Sequence, residues 1–269
     1  WLAGLVQLST GDGNDRQRGE TSLRRALAMQ PDNATLLAQV EHSPFDLAAA
    51  GEPQVVVLFG LGSAPALEQI AISLITPWLG LSRIPLPKLV PQPRPGSCLE
   101  VVGSGQTVRT ELLADIERIR TLDFNARLPE VILRTAVMIA AKEAATFAAS
   151  EPFRRSDSDG AVVGQVLVLV AASLYKAATN QSDLRTWRSL PADYQIAQLP
   201  RPADGLVTVG LVRNGMATNP VSVALPDAPV VLLWARALGA NRMFVRAVPL
   251  RATSVVPSGG PADPIASSE

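Results

Sequence analysis

Gly51-Glu52-Pro53 is followed by Val55-Val56-Val57-Leu58-Phe59, a β-branched run without a charge, and this run sets the fold class. Gly and Pro mark a boundary, and an unbroken apolar run of this length reads as a buried strand. Upstream, apolar residues recur at helical spacing: Trp1, Leu2, Leu5 and Leu8, then Leu23, Ala26 and Leu27. Downstream, from Tyr194, the period is two. Strands are expected over 195–199, 206–212, 221–225, 230–237 and 243–248, as an antiparallel meander. Asn214-Gly215 and Gly239-Ala240-Asn241 are its hairpin turns. The class is α+β: an N-terminal helical hairpin, then a mixed domain with long helices packed on a mainly antiparallel sheet.

The segments between follow from turn chemistry and period. Glu68–Thr76 alternates and suggests a strand. Residues 77–96, with Pro77, Pro85, Pro87, Pro91, Pro93 and Pro95, are expected as an extended connection or irregular edge. Gly103-Ser104-Gly105 reads as a turn between two strands. Thr110 is expected to cap a helix reaching Arg120. Leu128–Ser150 and Val162–Ala178 read as helices around a loop, Glu151–Gly160. The domains are residues 1–50 (helical), 51–252 (α+β) and 253–269, a Pro, Ser and Gly-rich disordered tail.

The start resembles a tetratricopeptide repeat. Gly4 stands where the first helix of a repeat takes a small residue. Gly19, Leu23, Ala26 and Pro31 fall at the small, large, small and Pro positions of the second. The loop between the helices is longer than usual for a repeat. One repeat cannot bury its own face, so either others preceded Trp1 or the hairpin packs on the rest of the chain. The first residue is Trp1 rather than Met, and the start is read as processed or truncated.

Composition excludes several roles. Lys+Arg and Asp+Glu balance at 24 each and only 4% of residues are aromatic, which disfavours nucleic-acid binding. A hydrophobic content of 47% supports a real core. A single cysteine, Cys98, forms no internal disulfide and reads as a small apolar residue entering a strand. The longest apolar run, Ala161–Leu174, is short of the about 20 residues a bilayer crossing takes.

Candidate chemistry is thin. Gly103–Thr107 lacks the lysine of a phosphate loop. His42, the only histidine, sits at a helix end and reads as a cap or surface residue. No cofactor is expected. No metal is expected either: Asp157 and Asp159 are not followed by the glutamate a calcium loop needs. Asp115, Glu117 and Asp123 are interleaved with Arg118, Arg120 and Arg127, which fits solvated ion pairs. The most specified turn is Asp183-Leu184-Arg185-Thr186-Trp187-Arg188. Asp183, Arg185 and Arg188 read as a clamp, with Trp187 plugging the core where helix meets sheet. The same four residues are the candidate partner-binding site.

Three motifs carry a wider resemblance: Gly4–Asp12 with Arg24–Asn33, Val55–Leu67 with Arg83–Val90, and Leu174–Pro202. Together they make the chain similar to a family of bacterial cell-envelope proteins of unassigned activity, many of them lipoproteins. The segment around Asp183–Pro191 is the family's signature. Members are often encoded near a lipoprotein activator of peptidoglycan synthesis. The resemblance implies a periplasmic, outer-membrane-associated protein, held by a lipid anchor that lies outside this chain. The expected function is a non-enzymatic scaffold acting through contacts with other envelope proteins, as a homo-oligomer or a subunit of a larger complex. The alternatives are an envelope hydrolase using Asp183 or Asp115, and a lipid- or small-ligand-binding module.

Overall fold

A computed structural model describes residues 1–10, 13–46, 53–76, 80–155, 162–164, 166–168, 170–171, 187 and 189–251, with backbone alone at 74–76, 80–84, 153–154 and 251. The chain is α+β and divides into two units. The first comprises residues 1–61, 95–114 and 194–269; the second comprises 62–94 and 115–193.

At the centre of the first unit is β1 (Gln54–Leu61), buried along its whole length. It pairs in parallel with β10 (Val230–Gly239), from Gln54 opposite Val230 to Leu61 opposite Ala237. The five-stranded sheet has the order β11-β10-β1-β7-β6, with β6 at Glu111–Asp115, β7 at Asp193–Pro200 and β11 at Arg242–Arg251. A four-stranded antiparallel sheet, β5-β4-β8-β9, consists of β4 (Cys98–Gly103), β5 (Gln106–Arg109), β8 (Leu206–Arg213) and β9 (Met216–Ala224).

Alternation along β1 explains its unbroken apolar run. Val55, Val57, Phe59 and Leu61 enter one core with Leu99, Val101, Val209 and Leu211 of the second sheet. Val56 and Leu58 point the other way, toward α1 (Leu2–Thr10), α2 (Gly13–Met29) and α3 (Ala34–Glu41). A strand covered by sheet on one side and helices on the other has no solvent face to mark with polar residues. The N-terminal helices therefore belong to the same unit as the sheets, and the boundary expected at residues 50/51 falls inside it.

Gly4 and Gly19 let α1 and α2 meet closely. A Cβ on Gly19 would lie 2.7 Å from Leu8 Cγ and 2.9 Å from the Gly4 carbonyl oxygen. An amide chain stitches this layer to the sheet. Trp1 Nε1 donates to Gln39 at 2.8 Å, Gln39 to Gln198 at 3.0 Å, and Gln198 to Gln54 at 3.2 Å.

The two-residue turns are as expected. Ser104 and Gly105 have φ of 52° and 70°, and Asn214 and Gly215 have 50° and 83°, the positive values that hairpins of this hand require. The meander is not. β8–β9 and β10–β11 are hairpins, but they lie in different sheets, because β10 leaves the series to pair with β1. Thr110 is also a correction: it caps no helix. Its hydroxyl donates to Gln195 Oε1 at 2.6 Å and accepts from Leu99 N at 2.9 Å, and the chain continues as β6. Asp115 is the cap, accepting from Arg118 N at 2.8 Å.

In the second unit, β2 (Ala66–Thr76) pairs antiparallel with β3 (Gly80–Val90). The Pro-rich stretch is thus in good part a regular strand. Pro85 and Pro87 are two apart, so both imide nitrogens fall on the same edge, and a two-stranded sheet has an edge to spare. Helix α4 (Ile116–Arg154) has 39 residues and includes Pro129 and Pro152, where two separate helices were expected. At about 1.5 Å per residue it is about 58 Å long, and one lost backbone bond at Pro129 is a small part of its ladder. Residues 162–164, 166–168 and 170–171 are helical as well. The expected tail, 253–269, lies outside the described residues.

Candidate functional site

Of the four residues expected to form the clamp, Asp183, Arg185 and Arg188 lie outside the described residues. Trp187 is 69% exposed and plugs no core. Its carbonyl accepts from Leu190 N at 3.4 Å.

An arginine–carboxylate clamp does exist, built from other residues. The chain passes between its two units at 61/62, 94/95, 114/115 and 193/194, and the second unit's own residues beside these passages are tied to one another. Arg94 is the centre. Its Nη2 and Nε contact Glu117 Oε2 at 2.8 and 3.2 Å, and its Nη1 contacts Asp193 Oδ2 at 3.1 Å. The backbone repeats the pattern: Glu117 N donates to the Ala192 carbonyl at 2.9 Å, and Ala64 N to the Leu190 carbonyl at 2.9 Å. The hydrogen bond to Glu117, then the charges of Asp193, Glu117 and Asp115, hold the Arg94 guanidinium above its ordinary value against the opposing effect of burial. A planar fork meeting two carboxylates positions chain segments.

Asp123 pairs with Arg127 at 2.9 Å, as expected for a solvated helix face. His42 is the exposed C-cap residue of α3, its N–H donating to the Ala38 carbonyl. Cys98 is half-buried at the start of β4. Among the described residues, no group of three or more His, Cys, Asp or Glu side chains is arranged to hold a metal ion. A cavity of about 220 Å³ opens beside α2 and α3, lined by Arg16, Glu20, Arg24, Glu41 and His42 among others. Its mixed charges select no ligand class.

The unusual surface is on α4. Phe124, Leu128, Val131, Thr135 and Ile139 are partly buried, at steps of three and four residues, and β3 packs against the helix. Other apolar side chains stay in solvent: Ile119, Leu122, Leu133, Met138, and Val137 at 59% exposure. Between Thr135 and Ala149 the only charges are Lys142 and Glu143, both partly buried. Apart from Thr135, Ile139 and the buried Thr146, the rest of that stretch is exposed, uncharged and mostly alanine. Val162, Val163, Val166, Leu167 and Val170 are exposed too. Among the described residues no helix is long and apolar enough to cross a membrane.

No family model, no curated protein and no solved structure matches this chain.

Neither feature stood out in the sequence. Arg94 sits in a proline run that reads as a connection, and its partners are distant in the chain. Asp193 does lie just beyond Pro191, inside the stretch singled out above. The apolar stripe is legible as helix, and the expectation is that it packs on the sheet.

Proposed function

We propose that the protein is a non-enzymatic scaffold of a bacterial cell-envelope assembly, and that it self-associates through the uncharged face of α4. One observation carries this: from Thr135 to Ala149 the exposed residues of α4 are all uncharged and apolar, and the two charges of that stretch, Lys142 and Glu143, are partly buried. Monomeric soluble proteins rarely leave apolar patches beyond a few hundred Å² in water. An uncharged face needs an uncharged partner, because a charge buried against it would lose its hydration unpaired. A second copy offers that partner, and its alanines allow close helix approach. Of the two carboxylates named as hydrolase candidates, Asp183 lies outside the described residues and Asp115 caps α4, which supports this reading. The periplasmic, outer-membrane setting and the lipid anchor belong to the same proposal and rest on the resemblance. So does the tetratricopeptide-like reading of α1 and α2, which the Gly4–Gly19 approach supports.

Native mass spectrometry and light scattering test it. The protein is expected above its monomer mass, and Val137→Glu is expected to be monomeric with an unchanged melting temperature. A strictly monomeric parent overturns the reading. So does a parent that floats with lipid vesicles when Val137→Glu does not, since the occupant of the face would then be membrane.

A further inference from the structure

A second exposed surface lies in the first unit, on β10 and β11. Met243, Val245 and Ala247 turn toward the core between the sheets. Arg242, Phe244, Arg246 and Val248 therefore face the opposite side, and all four are exposed. On β10, Trp234 stands opposite Arg246 and Arg236 opposite Phe244. The N-terminal helices cover this face near Val230 and Leu232, while Trp234 and Phe244 remain 40% and 58% exposed.

Two properties coincide there. The first is charge: β10 and β11 carry four arginines and not one Asp or Glu, in a chain whose formal charge is zero. Neither Arg242 nor Arg246 makes an ion pair with a described residue. The second is an open edge. β11 pairs with β10 on one side and with no strand on the other among the described residues. The remaining sandwich edges are blunted. β5 and β6 have 4 and 5 residues, and β9 contains Pro220. In β11 the run from Arg242 to Val248 has no proline.

We infer that β11 is the docking edge for an extended acidic segment of a second protein, which joins the five-stranded sheet with carboxylates beside Arg242 and Arg246 and apolar side chains beside Phe244 and Val248. Side chains on one face of a strand repeat every second residue, so the period of this face selects the period of its partner. The two arginines are about 13 Å apart along the strand at about 3.3 Å per residue, which places the two carboxylates four residues apart. Charges placed only to repel a neighbouring edge would not be interleaved with exposed Phe244 and Trp234. This site is in a different unit from the α4 face and does not depend on it.

The probe is a labelled peptide whose one face repeats Glu, Val, Glu, Val and whose other face is Thr. Three controls go with it: the same peptide with Gln for Glu, the same peptide N-methylated along one edge, and oligo-deoxythymidine. Fluorescence anisotropy is expected to show binding of the acidic peptide that weakens with salt. Losses of about tenfold or more are expected for the Gln peptide, for the N-methylated peptide, and for Arg242→Glu combined with Arg246→Glu. Both arginines are exposed, so the double variant should melt at the parent temperature. A milder pair, Arg242→Gln with Arg246→Gln, should show an intermediate loss. Absence of binding by the acidic peptide overturns the inference. Equal binding of the Gln or N-methylated peptide does so too, as does preference for the oligonucleotide.

Discussion

Asp193 accepts a hydrogen bond from Arg94 at 3.1 Å, its own side chain only 2% exposed while that of Arg94 is 43% exposed. The pair is unequal. The carboxylate is sealed in and depends on its partners, whereas the cation could be hydrated where it stands. Removing the cation is therefore the more damaging change.

Arg94→Ala should lower the unfolding free energy by about 1–3 kcal/mol, a figure reduced from that of a fully buried pair because Arg94 is partly hydrated. Arg94→Lys should recover only part of it, since an ammonium cannot reach two carboxylates with a flat fork. Denaturant unfolding of the three proteins decides this. Equal stability of parent and Arg94→Ala would show the clamp to be dispensable.

The alkaline pH dependence of that difference has a fixed sign. Arg94 is raised above its ordinary value by its bond to Glu117 and the nearby acidic charges. A raised folded value gives stability that is complete below the unfolded value and is lost only as pH climbs through the folded one. The gap between parent and Arg94→Ala should thus be flat from about pH 7 to about pH 10. A slope in urea midpoints across that window would assign the gap to another group.

Gly19→Ala should destabilise the first unit by about 1–3 kcal/mol, because the new methyl meets the Gly4 carbonyl oxygen at 2.9 Å and backbone cannot swing aside. Gly13→Ala is the control. Nothing lies within 4 Å of that Cβ, so its effect should be neutral or slightly stabilising. Thermal melts that fail to separate the two variants would remove the close helix contact.

Thr110→Val keeps shape but deletes a hydroxyl that bonds Leu99 N at 2.9 Å and Gln195 at 2.6 Å. A loss of about 1–3 kcal/mol is expected from the stranded Leu99 N–H. Hydrogen exchange at Leu99 should accelerate with it, and unchanged exchange would contradict the bond.

Ser104→Gly should stabilise by up to about 1 kcal/mol, as Ser104 sits at φ 52°, where a Cβ is crowded. A lower melting temperature would mean that its bond to the Pro200 carbonyl matters more than the backbone strain.

What could be read from the residues follows from locality. β1 is plain because burial on both faces leaves an unbroken apolar run. Ser104-Gly105 and Asn214-Gly215 are plain because positive φ is a demand on those residues alone. The partner of β1 was not legible, since nothing in Val230–Ala237 says which strand it will meet. Thr110 and Asp115 are both cap-forming residues, and tertiary bonding to Gln195 decided between them. The helix expected over Leu128–Ser150 is part of a longer one, because α4 continues from Ile116 through Pro129. The amide chain from Gln39 through Gln198 to Gln54 joins three residues that look ordinary one at a time. Trp187, expected to plug the core, is exposed: an indole can also stand in solvent, and no local pattern fixes its burial.

The parallel pairing of Gln54 with Val230 has a consequence for biosynthesis. Val230 emerges from the ribosome only after both excursions that make the second unit have been made. Until then a strand apolar on both sides waits without its neighbour. Nascent chains that stop short of Val230 should be captured by holding chaperones, and release should coincide with completion of the final hairpin.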